Sequence, residues 1–218
     1  MPVTIINASP YGNKNSNTKM IVDAFSQAVA KAGSVVENYS LSDRKQWKSA
    51  LKAASENNHI VFAMPVYVGI VPSIFKEFAE ELDRVLPGDV RKSIEISYIL
   101  QSAFPESAQR KCAEKFLESV TESLKCAFSG ILSHSVFFGL IEKGRFDNLS
   151  EAYSYFGKKY VENKFNFFFS EAEEFNGPEQ LTEKQARKFV RGFNFMCRLT
   201  AEEKGCTKDL CDNPFEKK

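Results

Sequence analysis

Short runs of β-branched and aromatic residues alternate along the chain with longer segments whose apolar side chains recur every three or four positions. Residues 3–6 form a brief β-branched run, as a fully buried strand does. A polar, turn-rich stretch over 9–17 follows. Ile21, Ala24, Phe25, Ala28, Val29 and Ala32 then repeat with helical spacing, and Gly33 supplies the stop. Residues 35–41 predict a second strand. Asp43 can cap a helix striped by Trp47, Ala50, Leu51 and Ala54. Residues 59–64 predict the third strand. Pro72 opens a helix carrying Ile74, Phe75, Phe78, Ala79 and Leu82, which Pro87-Gly88 ends. Ile94, Ile96, Tyr98 and Leu100 alternate as a fourth strand. A helix over about 106–127 turns Cys112, Phe116, Leu117, Val120 and Leu124 inward, residues 135–140 read as a fifth strand, and a helix over about 149–161 follows.

Strands that alternate with helices imply an α/β fold, a parallel sheet covered on both faces as a three-layer sandwich. Right-handed crossovers leave few topologies, and 2-1-3-4-5 is the natural order for five strands. The expected organisation is an α/β domain over 1–164 and a Phe-rich helical extension with a polar tail over 165–218. In that extension Thr182 and Gln185 have capping-box spacing. The helix they open presents Ala186, Phe189, Val190, Phe193 and Met196. Docking of this stripe on the same domain is the reading preferred over a dimer contact.

The 218 residues carry a formal net charge of +1, which argues against a duplex-wrapping nucleic-acid binder and against a strongly acidic electron carrier. The first residues lack a basic, then long apolar, export signal. The longest apolar stretch, 60–72, is too short to span a bilayer and contains two prolines. A cytoplasmic protein with no membrane partner is expected. Five cysteines without a close CxxC pair fit reduced thiols, and the spacing of Cys197, Cys206 and Cys211 is poor for zinc or an iron–sulfur cluster. No metal is expected. The two histidines, His59 and His134, have no catalytic partner nearby in sequence and read as structural.

In an open parallel sheet of this order a ligand binds beyond the carboxyl ends of strands one and three. Two loops therefore carry the candidate chemistry. The first runs from Asn7 to Thr18. Ser9, Ser16, Asn17 and Thr18 offer hydroxyls and an amide beside a helix N-terminus, a neutral cradle for a phosphate. It contains neither a GxxxxGK[ST] nor a GxGxxG run, so a monophosphate fits better than a triphosphate or dinucleotide. The same residues are equally what a helix cap needs, and this loop alone does not decide between the two. The second loop, Met64 to Pro72, is apolar and bracketed by prolines. It suits either a flat hydrophobic ligand or simple packing on the sheet.

These two loops, with Ser9-Pro10…Ser16-Asn17-Thr18 and Pro65-Val66-Tyr67…Pro72…Lys76…Phe78…Asp83-Arg84, resemble the flavodoxin-like NAD(P)H-dependent FMN reductases. The resemblance covers roughly 3–140. It implies a flavodoxin-like fold and FMN as cofactor, with the phosphate held by Ser9, Asn15, Ser16, Asn17 and Thr18. It further implies that Pro65, Val66, Tyr67, Val68 and Gly69 contact the isoalloxazine and that Gln101, Ser102 and Ala103, followed by Phe104, reach its far side. NADH or NADPH would deliver hydride to the flavin, which would carry the chemistry to a small oxidised acceptor such as a quinone, azo compound or free flavin. A homodimer is implied in the same way. Tyr11 stands where the family often has a basic residue, and Lys14 is the candidate substitute. The iron–sulfur cysteine motif of some relatives is absent, and the Phe-rich extension is longer than a minimal member needs. A flavodoxin-type electron carrier and a non-catalytic flavin-binding module are the alternatives.

Overall fold

A computed structural model describes residues 1–12, 16–135 and 146–206. Five parallel strands, β1 (Pro2–Asn7), β2 (Val35–Ser40), β3 (His59–Pro65), β4 (Glu95–Ser102) and β5 (Ala127–Ser135), form one sheet in the order β2-β1-β3-β4-β5. The helices are α1 (Asn17–Lys31), α2 (Trp47–Glu56), α3 (Ser73–Val85), α4 (Lys111–Ser123), α5 (Leu149–Glu162), α6 (Ser170–Phe175) and α7 (Glu183–Glu203). Short 3-10 turns, Arg44–Gln46, Arg91–Ser93 and Ser107–Arg110, precede α2, β4 and α4. The expected flavodoxin-like order is therefore the one formed.

The pleat sorts the core into two layers. Ile6, Ile60, Phe62, Met64, Tyr98 and Leu100 face α2, α3 and α4. Val3, Ile5, Val61, Ala63, Ile99 and Leu132 face α1 and α5. β3 lies at the centre with every residue buried, which explains why its sequence runs apolar without alternation. Beneath the sheet α1 and α5 approach closely: a Cβ on Gly157 would lie 2.7 Å from the Phe25 carbonyl oxygen and 2.9 Å from the Ala28 methyl.

Several expected elements shift. α4 ends at Ser123 rather than near 127, because Lys125 turns into the left-handed region (φ 59°). The fifth strand is thus Ala127–Ser135 and not 135–140, of which 136–140 lie outside the described residues. Its buried positions include Ser129, Ser133, His134 and Ser135, so it carries little apolar pattern to read. α4 buries Ala113, Leu117 and Thr121, while Cys112 and Phe116, expected inward, are exposed. Ala32 ends the stripe of α1 in solvent. Asp43 caps the 3-10 turn ahead of α2, and Pro72 is the cap rather than the first residue of α3.

The chain beyond α5 returns to the sheet. Phe165 and Phe167 are buried, and the Phe167 amide donates to the Ser129 carbonyl at 2.9 Å. Phe165 stacks on His59 at 4.3 Å, and Phe175 stacks on His134 at 4.0 Å. The capping box of α7 forms as its spacing predicts, with Thr182 and Gln185 exchanging hydrogen bonds. Only Ala201 of α7 is buried, and Val190 and Met196 of its apolar stripe are largely in solvent. No helix among the described residues is long and apolar enough to cross a membrane.

Candidate functional site

β1 and β3 pair directly, so the loops after β1, β3 and β4 meet at one end of the sheet. The first loop is tied to itself. Asn7 Oδ1 accepts from the Ser9 amide (2.9 Å), and Asn7 Nδ2 donates to the Gly12 carbonyl (3.2 Å). Ser9 is buried and its hydroxyl accepts from the Tyr11 amide (3.3 Å). Gly12 sits at φ +57°, and a Cβ there would fall 1.8 Å from Ser42 Oγ, so only glycine fits.

Asn15 and Lys14 lie outside the described residues. Ser16 is the N-cap of α1, its hydroxyl accepting from the Lys19 amide at 3.2 Å. That cap uses one of the first amides and leaves those of Asn17 and Thr18 without an intrahelical acceptor. Asn17 is exposed, whereas Thr18 is buried and its Oγ1 accepts from Gln101 Nε2 at 3.3 Å.

The second loop stands up as a two-residue turn. The amides of Tyr67 and Ile70 each donate to the other's carbonyl, at 2.8 and 3.0 Å. Val68 and Gly69 occupy its tip at φ 51° and 79°, both in the left-handed region such a reverse turn requires. Glycine adopts this freely. A β-branched valine does not, so Val68 is a strained residue held 91% exposed. Ile70 is also exposed, whereas Pro65 and Val66 are buried beneath the turn. Tyr67 is half-exposed. Burial pushes its hydroxyl above the usual tyrosine range, and neighbouring Tyr11 adds to the shift. The loop thus does both: Val66 and Val71 pack in the core against the sheet, while its tip stands exposed as an apolar surface.

Gln101, at the end of β4, joins the three loops. Its carbonyl accepts from the Val66 amide at 2.7 Å while its side chain reaches Thr18. Ser102 is buried and donates to the Phe104 carbonyl (2.8 Å), and Ala103 offers its carbonyl to Ser135 Oγ (3.2 Å). The described parts of the three loops, 7–12, 16–18, 65–72 and 101–105, contain no charged side chain. An anion there would meet amides, hydroxyls and the positive end of α1. A cavity of about 780 Å³ opens beside this crevice between α1 and α5, and shares Ser16 and Asn17 with it.

Sequence reasoning missed Arg110. This residue is fully buried behind the third loop, where its guanidinium touches Ser102, Phe104 and Ser133. Lying in a short 3-10 turn between polar neighbours, it has no periodic signal to expose it. Nearby His134 is buried, which pulls its imidazole down to about 3, and the positive charge of Arg110 adds to the effect. Burial likewise lowers His59. Both rings therefore stay neutral at physiological pH, and His134 pairs in register with Gln101 at the carboxyl end of the sheet. Among the described residues no group of three His, Cys, Asp or Glu side chains could hold a metal ion.

No family model matches the chain, and no curated protein is similar to it in sequence. Solved structures share its architecture. An FMN-dependent NADH-azoreductase from Bacillus anthracis matches with a TM-score of 0.57 at 11% identity, over 76% of this chain and 100% of that one. An NADPH-quinone reductase from P. pentosaceus matches with a TM-score of 0.55 at 18% identity, over 72% and 98%. A flavodoxin from the domain Archaea matches with a TM-score of 0.51 at 12% identity, over 75% and 98%. Identities this low establish the flavodoxin-like fold. Each neighbour is spanned almost whole, and a part of this chain lies beyond what they share.

Proposed function

We propose that the chain binds FMN in the crevice beyond β1 and β3 and passes electrons from NADH or NADPH to a small oxidised acceptor. The observation that carries this reading is the junction at Gln101, which fastens the hydroxyl-bearing start of α1 to the apolar turn after β3. The residues suit the group. The amides of Asn17 and Thr18, which have no acceptor within the helix, with the hydroxyls of Ser9, Ser16 and Thr18, would hold the phosphate without a lysine. Pro65–Gly69 would flank one side of the ring, and Gln101–Ala103 would offer backbone groups to its polar edge. Bound there, FMN would supply the hydride and electron transfer. The protein's own part is then to orient donor and acceptor and to exclude water, which explains why neither histidine is needed.

Purified protein, reconstituted with FMN, is expected to turn yellow and to oxidise NADH or NADPH rapidly when a quinone is added. Reduction only by a separate reductase would instead identify an electron carrier of the flavodoxin type. Tight FMN without any reduction would identify a binding module. Failure to bind FMN would remove the reading altogether.

A further inference from the structure

We propose that Arg110 is a positioning residue for this crevice: its guanidinium locks the loop after β4 to the C-terminal extension, so that Gln101–Ala103 stand ready for the flavin before it arrives. The inference rests on the FMN reading above. Arg110 is fully buried and, among the described residues, has no ion-pair partner. Its charge is met by hydrogen bonds and, beyond ion-pair distance, by the carboxylates of Glu114 and Glu106. Nε donates to Ser133 Oγ (2.6 Å) on β5. Nη1 donates to Ser102 Oγ (3.1 Å), to the Phe104 carbonyl (3.1 Å) and, more weakly, to the Glu106 carbonyl (3.4 Å). Nη2 reaches both the carbonyl and Oδ1 of Asn176, just past α6.

A guanidinium placed this way is an expensive means of filling space. An apolar side chain of similar volume would do so with less desolvation, and buried charges are often less stabilising than such replacements. What the fork adds is geometry: three planar nitrogens fix two main-chain segments, one on each side, in a single arrangement. Two further contacts close the same clasp. The Ser107 amide donates to the Pro178 carbonyl at 2.9 Å, and Lys111 pairs with Glu179. The segment 176–179 thereby grips the turn that ends the third loop. A loop held in its bound shape loses less entropy when a ligand orders it, and that saving appears as affinity.

The test compares full-length wild type, Arg110→Met, Arg110→Lys and the milder Asn176→Ala, by FMN titration and by hydrogen exchange on the flavin-free protein. In Arg110→Met, FMN affinity is expected to fall about tenfold or more, as for loss of other supporting contacts around a ligand site. Exchange should accelerate over 101–106 and 176–179 while the amides of β1 and β3 stay protected. Arg110→Lys keeps the charge but not the fork and should remain impaired. Asn176→Ala should shift both readouts in the same direction by less, which keeps the test decisive if Arg110→Met does not fold. Wild-type protein that binds no FMN would sink the functional reading and this proposal together. Wild type that binds FMN, with variants that bind it equally well, would overturn the proposal alone, whether or not exchange changes.

Discussion

At the scale of single residues, the proposed function would give the start of α1 two purposes with one set of side chains. Ser16 caps the helix through the Lys19 amide, and the amides of Asn17 and Thr18 have no acceptor within the helix. Of the two readings of this loop in the sequence, the cap is formed, and the phosphate site is the proposal that a variant can test. The double variant Ser16→Ala plus Thr18→Ala is expected to weaken FMN by about 1–3 kcal/mol, read by fluorescence titration. Unchanged affinity would move the phosphate elsewhere. His134 makes a prediction about pH. Its folded value, about 3, lies below the ordinary 6.5, so the unfolded chain binds the extra proton between them. Its contribution is fully present above about pH 6.5 and is lost as the pH falls towards 3, by up to about 1.4 kcal/mol per unit. Urea midpoints measured across this window should drop less steeply in His134→Gln than in wild type.

At the scale of elements, the close approach of α1 and α5 depends on the absence of one side chain. Gly157→Leu must push either the Phe25 carbonyl or the Ala28 methyl aside and is expected to destabilise by about 1–3 kcal/mol. Gly88→Ala, where a Cβ would meet nothing within 4 Å, is the control in the same urea melts. Most elements were legible because their period follows from what each face touches. α3 is the clear case, with Phe75, Phe78, Ala79 and Leu82 buried in the spacing the sequence displays. β5 was not legible. Its serines are buried beside hydrogen-bond partners such as Glu95 and Arg110, so polar residues occupy core positions and the alternation vanishes. The neighbouring apolar run drew the strand assignment towards itself.

At the scale of the whole molecule, the strand order and the two loops of the crevice could be read from the chain, because topology fixes where parallel strands end. Arg110 and Asn176 could not, since they meet across 66 positions and neither belongs to a pattern. The Phe-rich segment after α5 was visible as composition, but its position was not. β5 is the last strand of the sheet, and the pairing of Phe167 with Ser129 lays the chain's own backbone against it. An unprotected terminal strand invites addition of a foreign strand and then fibre growth. Here one of the stickiest stretches of the sequence turns its backbone to that edge at Ser129 and its buried rings, Phe165 and Phe167, to the core, so its folded position occupies part of the surface a foreign strand would need.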